Sequence, residues 1–224
     1  MTNATLHYIH DPLCGWCYGA APLVQAARGL VPVVAHAGGM MTGGSRQKVS
    51  PQLRNYVMPH DRRIAQLSGQ SFGTAYTDGL LCDSSATFDS EPPTTAMLAA
   101  EQLAGRALDL LARLQTAHYV EGRRIADTAV LIELAVAVGL QRDLFVAAFE
   151  QASGEPTRAH IAASRALLTR VGGQGFPTFA LERDGRLETI DIGPYLGRVD
   201  AWASWLGRSV AATPAVRTDG PASV

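Results

Sequence analysis

The stretch DPLCGWCYGAAPL, residues 11–23, carries two of the chain's three cysteines, Cys14 and Cys17, separated by Gly15 and Trp16. Its flanks decide what it can be. Upstream, ATLHYIH (4–10) is rich in β-formers and runs into Asp11-Pro12, the pattern of a strand ending in a turn. Downstream, apolar residues at 20, 21, 23, 24, 27 and 30 keep helical spacing. This predicts a helix from Cys17 to about Leu30, kinked at Pro22, where a backbone donor is missing. VPVVAHA (31–37) then reads as a second buried strand. The cysteine pair therefore sits where strand passes into helix, and a helix of this length implies a parallel strand pair with a right-handed crossover.

Beyond the β-α-β unit comes GGMMTGGS (38–45), a flexible Gly-rich loop. No Gly-Lys-Ser/Thr follows at the spacing a phosphate-binding loop needs, so a close-packed loop beside the site is expected. Residues 51–170 read as mostly helical. A first stretch (about 52–69) is divided by Pro59, and Pro92-Pro93 opens a helix that Gly105 ends. Further helices are expected over about 107–120, from an Asp127 N-cap through Val138, over 142–152 and over 157–171. GFPTFAL and LETIDIG then read as two strands joined at Asp184-Gly185, a hairpin signal, with an amphipathic helix over 195–206.

The fold class is thus α/β: a β-α-β…β-β-α layer made by residues 1–48 and 171–208 together, with the all-helical block 49–170 inserted. Residues 209–224, small, polar and Pro-containing, are expected to be disordered. The whole has 224 residues, 47% hydrophobic and 17% charged, which suits a soluble globular protein. A net charge of −1 argues for neither nucleic acid nor an acidic membrane surface as partner. The longest apolar run, Ala129 to Leu140, is too short to cross a bilayer and contains Glu133. The start, MTNATLHYIHDPL, lacks the pattern of a secretory signal, so a cytoplasmic address is expected.

In a reducing compartment a close cysteine pair is more often catalytic or metal-binding than a permanent disulfide. A zinc site needs four ligands, and Cys82 has no Cys or His near it, while His7 and His10 lie on the strand leading away. A four-residue loop gains little from permanent closure. At a helix start, unpaired N–H groups and the helix dipole favour a thiolate at Cys14, and thiols in such motifs fall from about 8.5 to roughly 3.5–7.5. Cys17, one turn on, is placed to attack a mixed disulfide held by Cys14.

Strand, CGWC, Pro22 five residues after the second cysteine, inserted helices and then GQGFPTF together resemble the thioredoxin superfamily. DPLCGWCYGAAPL, GGMM and YVEGRRIADTAVL look like the DsbA family, in its FrnE-like protein-disulfide isomerase branch, over about residues 4–207. The resemblance implies a thioredoxin-like fold and thiol–disulfide exchange, of reductase or isomerase type, with Cys14 as nucleophile and Cys17 as resolving thiol. It implies that Pro177 is the family's cis-proline, with Phe176 before it and Trp16 also on the substrate face. No bound cofactor or metal is implied; the partners would be protein or peptide thiols and disulfides, with glutathione as a co-substrate. One position departs from the superfamily pattern: six residues before the nucleophile, where a buried carboxylate is common, stands Tyr8. Asp11, His10 or water is left to take that part.

The same fold also resembles kappa-class glutathione transferases and hydroxychromene-carboxylate isomerases, which usually carry serine at the first motif position; two intact cysteines argue against that reading. A non-catalytic peptide-binding accessory protein is a third. Elsewhere the plain readings stand: Tyr18 as packing, Cys82 as a buried small hydrophobe, Met40 and Met41 as pocket lining. His36, His60, His118 and His160 read as surface or core histidines, and Arg123-Arg124 as a solvated helix end rather than a glutathione carboxylate site.

Overall fold

The computed structural model describes residues 4–211. Its sheet is built from β1 (Ala4–His10), β2 (Val33–Ala37), β5 (Thr178–Arg183) and β6 (Arg186–Ile190), in the order β2-β1-β5-β6. β1 runs parallel to β2 and antiparallel to β5, and β5 and β6 form the hairpin around Asp184-Gly185, both at positive φ. The mixed sheet follows from the connections: a helix separates β1 from β2, whereas a two-residue turn joins β5 to β6.

That connecting helix, α1 (Gly15–Ala27), starts two residues earlier than periodicity suggested, because Cys14 itself caps it. Pro22 lies inside it. Two minor strands, β3 (Gln47–Lys48) and β4 (Thr87–Phe88), pair antiparallel, and β4 lies inside the block expected to be all-helical. Between β2 and β5 lie α2 (Pro51–Ser68), α3 (Glu91–Ala104), α4 (Ala107–Tyr119), α5 (Thr128–Ala137), α6 (Arg142–Ala152) and α7 (Glu155–Arg170). Pro59 does not divide α2, which continues through it. Asp127 holds the N-cap position of α5, but its side chain makes no capping bond.

The last helix, α8 (Val199–Ala211), begins later than expected because Gly197 takes φ 72°, a left-handed value that ends any helical path through 195–197. Residues 209–211, read from the sequence as part of a disordered tail, are its last turn; the rest of that expected tail, 212–224, lies outside the described residues.

One hydrophobic core runs through the sheet and the helical block. Tyr8 and Phe179, paired in register, face α1 and α8, where the buried Trp202 ring meets Phe179 edge-on and its Nε1 donates to Leu23 O at 2.9 Å. On the other side α7 reaches β2, the His160 Nε2 accepting from Ala37 N at 3.1 Å.

Candidate active site

The expected cysteines meet at the head of α1. Cys14 has extended backbone (φ −90°, ψ 113°), and its Sγ accepts from Cys17 N at 3.3 Å, taking one of the helix's unpaired amides. The same thiol donates to Phe176 O at 3.4 Å, so the residue before Pro177 touches the first cysteine although 162 positions separate them. The Phe176–Pro177 peptide bond is cis. No disulfide links Cys14 and Cys17; the first is 5% exposed and the second fully buried. Burial pushes the Cys17 thiol well above its usual range; the Cys14 sulfur beside it and the nearby Asp11 charge push the same way.

Trp16, Phe176 and Pro177 are each half-buried around the pair. The Phe176 ring lies on the Gly-rich loop: a Cβ on residue 38 would fall 2.2 Å from its Cζ, so only glycine admits the ring. That loop is tied down rather than free. Arg165 donates to Gly38 O at 2.7 Å and Gly39 O at 2.5 Å, and the loop's amides reach further side chains: Met40 N donates to Asp11 Oδ2 at 2.5 Å and Met41 N to Ser90 Oγ at 3.0 Å.

Tyr8, at the position of the missing carboxylate, is fully buried and donates its hydroxyl to Cys17 O at 3.2 Å, while burial pushes its own ionisation well up. His10 stacks on Tyr8, with neither ring nitrogen hydrogen-bonded, and burial lowers it to about 3. Asp11 is buried and accepts from Leu13 N (2.8 Å), Ser90 Oγ (2.9 Å) and Met40 N. Burial raises it to about 6 against those donors and the Arg165 charge.

A second buried carboxyl was missed by sequence reasoning. Asp61 of α2, 5% exposed, stands over the first turn of α1: a Cβ at residue 15 would lie 3.0 Å from its Oδ1 and 3.1 Å from Ile64 Cδ1. At residue 19 a Cβ would meet Ile64 Cγ2 at 2.7 Å. Glycines four apart on α1, beside an acidic residue in the longest insertion helix, were the available signal.

The remaining expected residues lie apart from the pair. Cys82 is exposed, not buried, because it closes a short surface turn, with its Sγ 4.0 Å from Thr77 O. Tyr18 packs as expected, stacked on Tyr119 with its hydroxyl on Ser71 O. Met40 and Met41 are half-buried against the core. Arg123 and Arg124 pair with Glu133 and Asp83. His7 bridges His36 (2.9 Å) and Glu182 (2.8 Å) on the sheet face toward α7; His60 is exposed and His118 buried. A cavity of about 770 Å³ is lined by β2, α3 and α4 and includes neither cysteine. Among the described residues no helix is long and apolar enough to cross a membrane.

A cysteine pair heading a helix, facing an X-Pro loop on a mixed four-stranded sheet, defines a thioredoxin-type protein with helices inserted between its two halves. The cytosolic disulfide reductase DsbM from Pseudomonas aeruginosa is 58% identical, with a TM-score of 0.87 over 92% of this chain and 98% of that one. The structure of DsbM with GSH matches at 55% identity and a TM-score of 0.86, over 93% and 100%. A candidate protein disulfide isomerase from Nitrosomonas europaea, 23% identical with a TM-score of 0.75 over 93% and 98%, shares the fold. No protein-family model matches the chain, and neither does any curated protein. The chain belongs to the DsbA/DsbM family of thiol–disulfide oxidoreductases, and its chemistry is thiol–disulfide exchange.

Proposed function

We propose that the protein is a glutathione-linked disulfide reductase of the cytoplasm, with Cys14 as nucleophile and Cys17 as resolving thiol. The observation that carries the assignment is the Cys14 sulfur itself. It sits at the helix cap, within 3.3 Å of Cys17 N and 3.4 Å of Phe176 O, at the junction of helix start and proline loop. Cys14 sulfur attacks a substrate disulfide, forming one S–S bond and expelling the first substrate thiolate. Cys17, deprotonated, then attacks the Cys14 sulfur, closing the Cys14–Cys17 disulfide and releasing the second thiolate. Two glutathione thiols return the pair to dithiol, leaving as glutathione disulfide; the relative solved with GSH supports this direction, and the relative named cytosolic supports the address.

The upward shift of the Cys17 thiol supports its taking the later step, since a thiol held neutral attacks only once a base takes its proton. Trp16, Phe176 and Pro177 form the substrate face, with the Phe176 carbonyl aligned on the reacting sulfur. Residues 49–170 act as an insertion that reaches over the CxxC turn through α2.

Insulin reduction driven by glutathione tests the assignment. Cys14→Ser is expected to lose activity entirely, and Cys17→Ser to accumulate mixed disulfides at Cys14. Normal reduction by Cys14→Ser would sink the mechanism, and glutathione conjugation surviving in Cys17→Ser would assign the small-molecule transferase reading instead.

A further inference from the structure

We propose that Asp61 is a positioning residue for the cysteine pair: its carboxylate, brought against the first turn of α1 by glycine at 15, disfavours negative charge on the reduced pair and so holds the couple on the reducing side. The inference rests on the exchange reading above and adds to it a residue from the helical insertion.

The approach is set by packing. α2 lies close along α1 because Gly15 and Gly19 leave room for Ile64, and the same fit places Asp61 Oδ1 beside the residue between the cysteines. Asp61 Oδ2 accepts from the Tyr76 hydroxyl at 3.1 Å, which fixes the carboxyl's orientation. Tyr76 in turn meets Tyr119 edge-on at 5.3 Å, and Tyr119 stacks on Tyr18 of α1 at 4.8 Å. A buried aromatic cluster thus holds the acid with little solvent around it.

The groups facing Asp61 are few. Tyr76 donates to it, Arg62 lies next to it on α2, and Tyr119 of α4 lies within the fields of Asp61, Cys14 and Cys17 together. Burial raises the carboxyl to about 6 against the Tyr76 hydroxyl and the Arg62 charge, so it is ionised at neutral pH. A helix N-terminus offers about half a positive charge, and two anions placed against it compete. Reduction converts a neutral disulfide into thiols that can ionise. A fixed negative neighbour therefore penalises the reduced form and lowers the potential, the reverse of oxidants whose reduced form is stabilised.

The test is the equilibrium between purified protein and defined ratios of reduced to oxidised glutathione at pH 7.5, read by alkylating free thiols. Asp61→Asn is expected to shift the constant about tenfold towards the reduced protein, about 30 mV for this two-electron couple. Tyr76→Phe, which removes the donor that favours ionisation, is expected to move it the same way by about twofold. At pH 5, where wild-type Asp61 is protonated, the Asp61→Asn difference should vanish. An Asp61→Asn shift under twofold, a shift towards the disulfide, or one that persists at pH 5 overturns the proposal; if Asp61→Asn does not fold, an unmoved Tyr76→Phe does so. The equilibrium needs no protein substrate, so loss of the exchange reading would show in the Cys14→Ser insulin assay and not here.

Discussion

The loop entering α1 and the middle of α2 each deliver a buried carboxyl to the cysteine pair, on different terms. Asp11 stands just after β1 and is gripped by three donors drawn from its own turn, from the Gly-rich loop and from the start of α3. Asp61 arrives from the helical block and is held by one hydroxyl. Burial raises both to about 6. Similar burial therefore conceals unequal holds: Asp11 ties three segments together and its charge also bears on Cys17, whereas Asp61 is held by the Tyr76 hydroxyl alone. A carboxyl's surroundings, more than its burial, decide whether it serves architecture or reactivity.

The largest effect expected from this contrast is on stability. Asp11→Ala leaves the amides of Leu13 and Met40 and the buried Ser90 hydroxyl without their acceptor, and should cost about 3 kcal/mol by urea denaturation. A loss below about 1 kcal/mol would erase the distinction between the two acids. Next comes Gly15→Ala, whose methyl must displace Asp61 and Ile64; a loss of about 1.5 kcal/mol is expected, with the glutathione equilibrium moving as in Asp61→Asn.

The pH dependence separates the acids from the buried histidines. Asp61's folded value, about 6, exceeds its usual 3.8, so its contribution to stability is full below pH 4 and is lost as pH rises through 6. His10 and His118, pushed down to about 3 by burial, contribute above pH 6.5 and lose that contribution on acidification. Asp61→Asn removes the opposing carboxyl, so between pH 7 and 5 the variant should lose about 1 kcal/mol more than wild type. Equal losses would place Asp61 outside the buried set. The smallest effects come from single donors: Ser90→Ala and Tyr76→Phe should each cost roughly 1 kcal/mol, and only Tyr76→Phe should alter the redox equilibrium.

Much of the frame could be read locally. Strand β1, the hairpin at Asp184-Gly185 and the helix opened by Pro92-Pro93 follow from period and turn chemistry, and each appears where those signals stand. The structure departs from the local signals at element ends and in irregular segments. α1 begins early because a cysteine makes an unusual cap, and α8 late because the backbone at Gly197 turns left-handed. The β3–β4 pair joins segments about forty residues apart and offers only two residues each, too few for a period to register. Cys82 is exposed although a free cysteine is usually a small buried hydrophobe, because its exposure depends on which way a short turn faces.

By itself, then, the sequence determined that a CxxC pair heads a helix after a strand, because helix starts and turns are written in adjacent residues; that a distant Phe-Pro belongs with the pair was implied by the family resemblance alone. Only the tertiary structure decided which groups surround the pair. It put Tyr8 on the Cys17 carbonyl, joined Asp11 to a loop 29 residues away and a helix 79 residues away, and set Asp61 over Gly15. Those placements depend on how closely α2 and α3 can pack on α1 and β1. Closeness of that kind is a property of two surfaces together, which no local stretch of either one encodes.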